Sequence, residues 1–207
     1  MTGLNSKITL GIVDYDVGNH TSIRRVLNML GYRCRISRDP STLGASDMIV
    51  LPGVAAFPKA MASLREYGLN EFLQTTATSG KPILGVCLGM QLLATSSEEH
   101  GTTDGLNLIP GTVVPIGLGR WHIGWNSIEM TGNDPLLIKS DGEIMYFNHS
   151  FHFSCDDAYK AATTTLDHEY TSIVRRENVI GIQFHPEKSH VPGHALLKSI
   201  IEGFCSA

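Results

Sequence analysis

Three residues of this chain have the types and settings that nucleophilic acyl transfer needs: Cys87, His185 and Glu187. A thiol attacks well only when a base removes its proton and later returns it to the leaving group. That base works better when a carboxylate holds its tautomer. Cys87 sits in Pro82-Ile83-Leu84-Gly85-Val86-Cys87-Leu88-Gly89-Met90-Gln91-Leu92-Leu93, where an apolar run gives way at the cysteine to helical spacing. Such a strand-to-helix switch is a nucleophile elbow in outline. Glycines on both sides permit the tight turn, and the amides that open the helix favour negative charge on sulfur and leave a donor for an oxyanion. His185 and Glu187 belong to Val179-Ile180-Gly181-Ile182-Gln183-Phe184-His185-Pro186-Glu187-Lys188-Ser189. A strand brings the histidine to its end, Pro186 fixes the backbone, and Glu187 can fold back toward the imidazole.

The elements that must position these groups read as alternating strands and helices. Ile8 to Val13 is a β-branched run that ends in the turn Asp14-Tyr15-Asp16-Val17-Gly18-Asn19. A helix follows, capped by Asn19 or Thr21, with Ile23, Val26, Leu27 and Leu30 at helical steps and Gly31 just past its end. Tyr32 to Ser37 and Asp47 to Leu51 are further strands, and Phe57 to Glu66 and Leu69 to Thr76 have helical spacing. Strands separated by helices demand crossovers, which predicts an α/β fold with a central, mostly parallel sheet covered by helices on both faces. After Glu99 glycines punctuate short β-like pieces, among them Thr112 to Val114, Trp125 to Ile128, Glu143 to Phe147, Ala161 to Thr165 and Thr171 to Arg175. This half reads as more antiparallel, and Gly193 to Phe204 closes the chain as an amphipathic helix. In Leu51-Pro52-Gly53-Val54-Ala55-Ala56-Phe57 a buried strand gives way to a glycine turn at the carboxyl edge of the sheet, where ligands bind. An amide from Gly53 or Val54 can there join that of Leu88 in an oxyanion hole.

Composition narrows the classes. The chain has 207 residues and a formal net charge of −4 with both signs scattered, so it carries no basic stripe for nucleic acid. Its four cysteines, Cys34, Cys87, Cys155 and Cys205, form no Cys-x-x-Cys pair, which suggests neither a disulfide framework nor a metal site and fits a reducing cytoplasm. Met1 to Lys7 is polar and reads as no signal peptide, and no apolar run approaches the roughly 20 residues of a membrane span. No repeat or linker divides the chain, so residues 1–207 are expected to form a single domain.

These three stretches, with Trp121-His122-Ile123-Gly124-Trp125-Asn126 and Tyr146-Phe147-Asn148-His149-Ser150, resemble the class I, triad-type glutamine amidotransferases, and within them the glutaminase subunit of imidazole glycerol phosphate synthase. The resemblance runs from Asp14 to the last helix and implies a flavodoxin-like fold with no cofactor. It implies that Cys87 attacks the side-chain amide of glutamine, that His185 protonates the departing ammonia, and that the thioester is hydrolysed to glutamate. Ammonia would then pass to a (β/α)₈-barrel cyclase partner in a heterodimer of histidine biosynthesis. Gln91, Glu99, Ser150 and Phe151 match substrate-binding positions, and Trp125, His149 and Lys188 match positions near the partner interface.

Four positions depart from the family pattern. Asp16 and Ala55 stand where glycine is usual, Trp121 where proline often precedes the histidine, and Asn148 where valine is common. In the family a peptide turn in the Pro52-Gly53-Val54-Ala55 loop is thought to complete the oxyanion hole once partner and ligand are bound, and a missing glycine removes easy access to positive φ. The resemblance also admits a paralogue that supplies ammonia to a related synthase in amidation of a surface-polysaccharide sugar.

Overall fold

A computed structural model describes residues 8–117 and 119–205, so the Met1–Lys7 stretch read above lies outside the described residues. In chain order the first half comprises β1 (Thr9–Val13), α1 (His20–Met29), β2 (Arg33–Ser37), α2 (Pro40–Gly44), β3 (Met48–Gly53), α3 (Phe57–Glu66), α4 (Leu69–Thr78), β4 (Ile83–Cys87) and α5 (Leu88–Leu92). The second half comprises β5 (Ser96–Ser97), β6 (Thr103–Asp104), β7 (Thr112–Pro115), β8 (His122–Ser127), β9 (Glu129–Met130), β10 (Ile144–His149), β11 (Phe151–Ser154), β12 (Lys160–Thr165), β13 (Glu169–Arg176), β14 (Val179–Ile182) and α6 (His190–Cys205).

The principal sheet runs β2-β1-β3-β4-β14-β13-β12-β9. Its first five strands are mutually parallel and the last three pair antiparallel, as the change in sequence texture predicts. β1, β3, β4 and β14 are buried at every position, which is why they read as continuous apolar runs and not as alternations. Two cores cover the two faces. Ile23, Val26 and Leu27 of α1 and Leu196, Leu197, Ile200 and Ile201 of α6 fill one. Phe57, Met61 and Leu64 of α3 pack with Leu69 and Leu73 of α4 and Met90 of α5 in the other. The short strands make two further sheets, β10-β8 and β11-β7-β5-β6.

Several boundaries differ from expectation for local reasons. Gly31 takes φ 94° just past α1, as its place requires, but Asn19 at the helix start makes no side-chain cap. α2 is not among the expected elements, since five residues are too few to show a helical period; Asp39 caps it, accepting from the Ser41 and Thr42 amides, with Pro40 in the first turn. The last helix starts at His190, three residues before Gly193. The strand expected to carry His185 at its end stops at Ile182, three residues earlier.

Candidate active site

β4 delivers Cys87 with φ 56° and ψ −112°, a backbone conformation that an L residue rarely adopts. Its neighbours enforce it. A side-chain carbon on Gly89 would overlap the Leu51 carbonyl, and one on Gly85 would lie 2.5 Å from the Gly89 carbonyl oxygen. The elbow therefore packs its backbone directly against β3 and its own first turn, and only glycine fits at both places. α5 is one turn long, five residues, so any support for an anion comes from individual amides and not from a long helix dipole.

The base arrives from the adjacent parallel strand. Ile182 of β14 pairs with Val86 of β4, and the chain continues to His185, which stands close enough to Cys87 for the two side chains to interact electrostatically. His185 Nδ1 lies 2.9 Å from Glu187 Oε1, and both side chains are under 5% exposed. Burial disfavours the imidazolium, but the hydrogen bonds and charges of Cys87 and Glu187 outweigh it and raise His185 to about 10. The expected imidazole and carboxylate thus pair, with the expected thiol next to the imidazole. By contrast, burial pushes the Cys34, Cys155 and Cys205 thiols up to about 11.

An open cavity of about 100 Å³ lies over the sulfur, lined by Val54, Ala55, Cys87, Leu88, Gln91, Glu99, His149, Ser150 and Phe151. It gathers all four expected substrate-binding residues. Glu99 Oε2 accepts from the Phe57 amide (2.7 Å) at the start of α3. Gln91 Nε2 donates to the Phe151 carbonyl (3.0 Å) and to Gln183 Oε1 (3.1 Å). Both Gln91 amide protons are therefore engaged, and its carbonyl oxygen is what remains for a ligand. On the other side of the sulfur, Gly53 is the Cα partner of Cys87 between β3 and β4, and with Val54 it borders a small cavity beside His185 and Glu187. The Val54 amide donates to the Val17 carbonyl at 3.2 Å, so in this conformation it is committed to the β1 turn.

Of the three residues expected near a partner surface, Trp125 and Lys188 share an exposed aromatic face. Trp125 is half-exposed and stacks on His190 with centroids 5.3 Å apart, and Lys188 Nζ lies 5.5 Å over the Tyr146 ring. Trp121 and Ile123 extend the exposed apolar surface. His149 is placed differently. It is 8% exposed, lines the cavity, and bonds to His122 (3.0 Å) and the Phe151 carbonyl (2.8 Å). Burial holds His122 down to about 4 and His149 to about 3, so both are neutral.

The structure accounts for one departure. Asp16 adopts φ 66°, the region that favours glycine, and its carboxylate binds Arg38 (2.7 Å) and the Tyr67 hydroxyl. Arg38 also binds Asp14 (2.9 Å) and lies 4.4 Å over the Tyr67 ring. Aspartate tolerates this conformation better than most residues, and here the ion pairs hold it. Ala55 does not adopt a positive φ.

Residues 11–202 match the family described as Glutamine amidotransferase class-I. The chain belongs to the class I glutamine amidotransferases. In particular, it is 43% identical over 195 residues to the imidazole glycerol phosphate synthase subunit HisH of Listeria monocytogenes, covering 92% of this chain and 94% of that one. The subunit of the same name from Lacticaseibacillus casei is 45% identical over the same shares. Among solved structures, PurLQS from Thermotoga maritima has a TM-score of 0.77 at 18% identity, covering 95% of this chain and 98% of that one. A glutamine amidotransferase from Thermotoga maritima has a TM-score of 0.69 at 16% identity, covering 97% and 99%. At such identities these two structures speak for the fold alone. Among the described residues no helix is long and apolar enough to cross a membrane.

Proposed function

We propose that this chain is the glutaminase subunit of an imidazole glycerol phosphate synthase, with Cys87 as nucleophile, His185 as acid and base, and Glu187 as the group that orients the imidazole. What carries the reading is the hydrogen-bonded His185–Glu187 pair beside Cys87, which itself borders a cavity lined by Gln91 and Glu99. Glutamine enters with its side-chain amide over the sulfur. The Gln91 carbonyl and the free oxygen of Glu99 accept from its α-ammonium group, and the Ser150–Phe151 segment receives its carboxylate. Sulfur attacks the amide carbon, the amide oxygen becomes an oxyanion, and the imidazolium gives its proton to the amine as the carbon–nitrogen bond breaks. Ammonia leaves. Water then attacks the γ-glutamyl thioester, His185 takes its proton, and glutamate departs as the thiol is restored.

The oxyanion takes its donors from the Leu88 amide and from Gly53 or Val54. While Val54 donates to Val17, its amide is withheld from that role, which accords with a subunit that works slowly until its barrel partner turns the loop. Trp125 and Lys188 flank the surface through which that partner receives ammonia.

The test is assembly of the chain with a barrel cyclase subunit. Glutaminase activity of the isolated chain should be low and rise on adding the barrel with its nucleotide ligand. Cys87→Ala should abolish glutamine-dependent synthesis and leave synthesis from free ammonium intact. Full turnover by the chain alone, or loss of the ammonium reaction in Cys87→Ala, would refute the reading.

A further inference from the structure

Beyond the triad, one buried side chain reaches the sulfur. Gln183, fully buried, places Nε2 4.0 Å from Cys87 Sγ, the outer reach of a hydrogen bond to sulfur. Catalytic hydrogen bonds are often long before substrate binds. What gives the contact weight is that its polarity is determined by a chain of bonds. Phe151 and Pro115 of β7 are a non-hydrogen-bonded pair, so the Phe151 carbonyl faces away from β7, and it accepts from two side chains. A carbonyl can only accept, so Gln91 must turn its amide nitrogen toward it, and His149 must carry its proton on Nδ1. The second Gln91 proton then meets Gln183, whose facing atom must be oxygen. That leaves the Gln183 nitrogen, with its protons, aimed at the sulfur. At the far end His149, neutral and protonated on Nδ1, accepts on Nε2 from the His122 Nδ1 proton.

We infer that Gln183 is a further catalytic group of this site, a fixed amide donor to the Cys87 sulfur as negative charge resides there, and that Gln91, the Phe151 carbonyl, His149 and His122 are positioning groups that prevent it from flipping. No covalent bond changes at Gln183. Its contribution differs from that of His185, which surrenders a proton when ammonia leaves, whereas an amide donor stays in place through attack, thioester breakdown and return of the thiolate. The inference rests on the reading of Cys87 as nucleophile.

Gln183→Glu keeps the shape and replaces the donor with an acceptor; Gln183→Met removes it at similar volume. In the complex with the barrel subunit, both should lower kcat for glutamine about tenfold to a hundredfold, the range below or near loss of one oxyanion donor, while KM stays within about threefold. Iodoacetamide modification of Cys87 at neutral pH should slow in parallel, with the unfolding midpoint close to the parent's. Turnover and alkylation within about twofold of the parent in Gln183→Met would overturn the inference, as would a loss confined to KM. Should either variant fail to fold, the unmodified protein decides. The Gln183 side-chain amide resonance should shift when Cys87 is alkylated, and an unmoved signal would overturn the proposal. Failure of the underlying reading shows otherwise, as a parent complex that hydrolyses no glutamine.

Discussion

The two arms of the proposed relay are held by different physics. The nucleophile arm is a strained backbone, Cys87 at φ 56°, locked by contacts so close that Gly85 and Gly89 have no room for a side-chain carbon. The base arm is relaxed, His185 at φ −100° and ψ 93°, and is stitched by hydrogen bonds. Its amide donates to the Tyr146 carbonyl at 2.8 Å. The Ser189 hydroxyl donates to the His185 carbonyl (2.7 Å) and accepts from the Tyr146 amide (3.0 Å). One arm should be intolerant of any added atom, and the other should be sensitive to loss of polar partners. Strain concentrated on the nucleophile is tolerated because the strands on both sides of β4 are buried and parallel.

That contrast can be broken by experiment, most severely at Gly89. Gly89→Ala should cost about 3–5 kcal/mol or prevent folding, since overpacking here meets backbone and not a flexible side-chain end. A urea titration showing less than about 1 kcal/mol would mean that the elbow can relax. On the other arm, Glu187→Gln should preserve the fold and lower kcat about a hundredfold, because the imidazole loses the charge that stabilises its protonated form. It should also change the pH dependence of stability. His185 is raised from its ordinary 6.5 to about 10, so between these values the folded protein holds a proton that the unfolded chain has released. Stability from this group is complete below about pH 6.5 and falls as pH climbs toward 10. In Glu187→Gln the upper limit of that window should move down, and identical pH–stability curves for variant and parent would separate Glu187 from the proton on His185. Ser189→Ala should have the smallest effect, about 1–2 kcal/mol, by leaving the Tyr146 amide without its acceptor, with Cys87 alkylation little changed. A collapse of alkylation in that variant would show that the arms are not independent.

The nucleophile arm was legible in sequence for the same reason that it is rigid: a strand that ends at a cysteine, with glycine two residues to either side and helical spacing beyond, leaves little room for anything but a tight turn. The parallel half was legible too, because β1, β3, β4 and β14 are buried throughout and read as apolar runs, with the more exposed β2 at the edge. The burial of His149 also has a signal in the sequence. In β10 Met145, Phe147 and His149 alternate on the buried side, with Ile144 and Asn148 exposed, and that period of two places the histidine inside. Gln183 carried no such signal. Its meaning depends on Gln91 and Phe151, brought to it by separate elements of the fold, and no local pattern announces a contact between residues 92 positions apart.

The pairing of Gly53 with Cys87 at the carboxyl ends of β3 and β4 has a last consequence. Distance across the catalytic floor is set by one rung of a ladder, whereas the intervening chain leaves the sheet, passes through α3 and α4, and returns at its opposite end through Ser79, Gly80 and Lys81. Growth or shrinkage of that return turn leaves the rung untouched. A single residue added within β3 would turn its outward and inward sides about. Room for insertion in this chain therefore lies along one rim of the sheet, and Cys87 stands at the other.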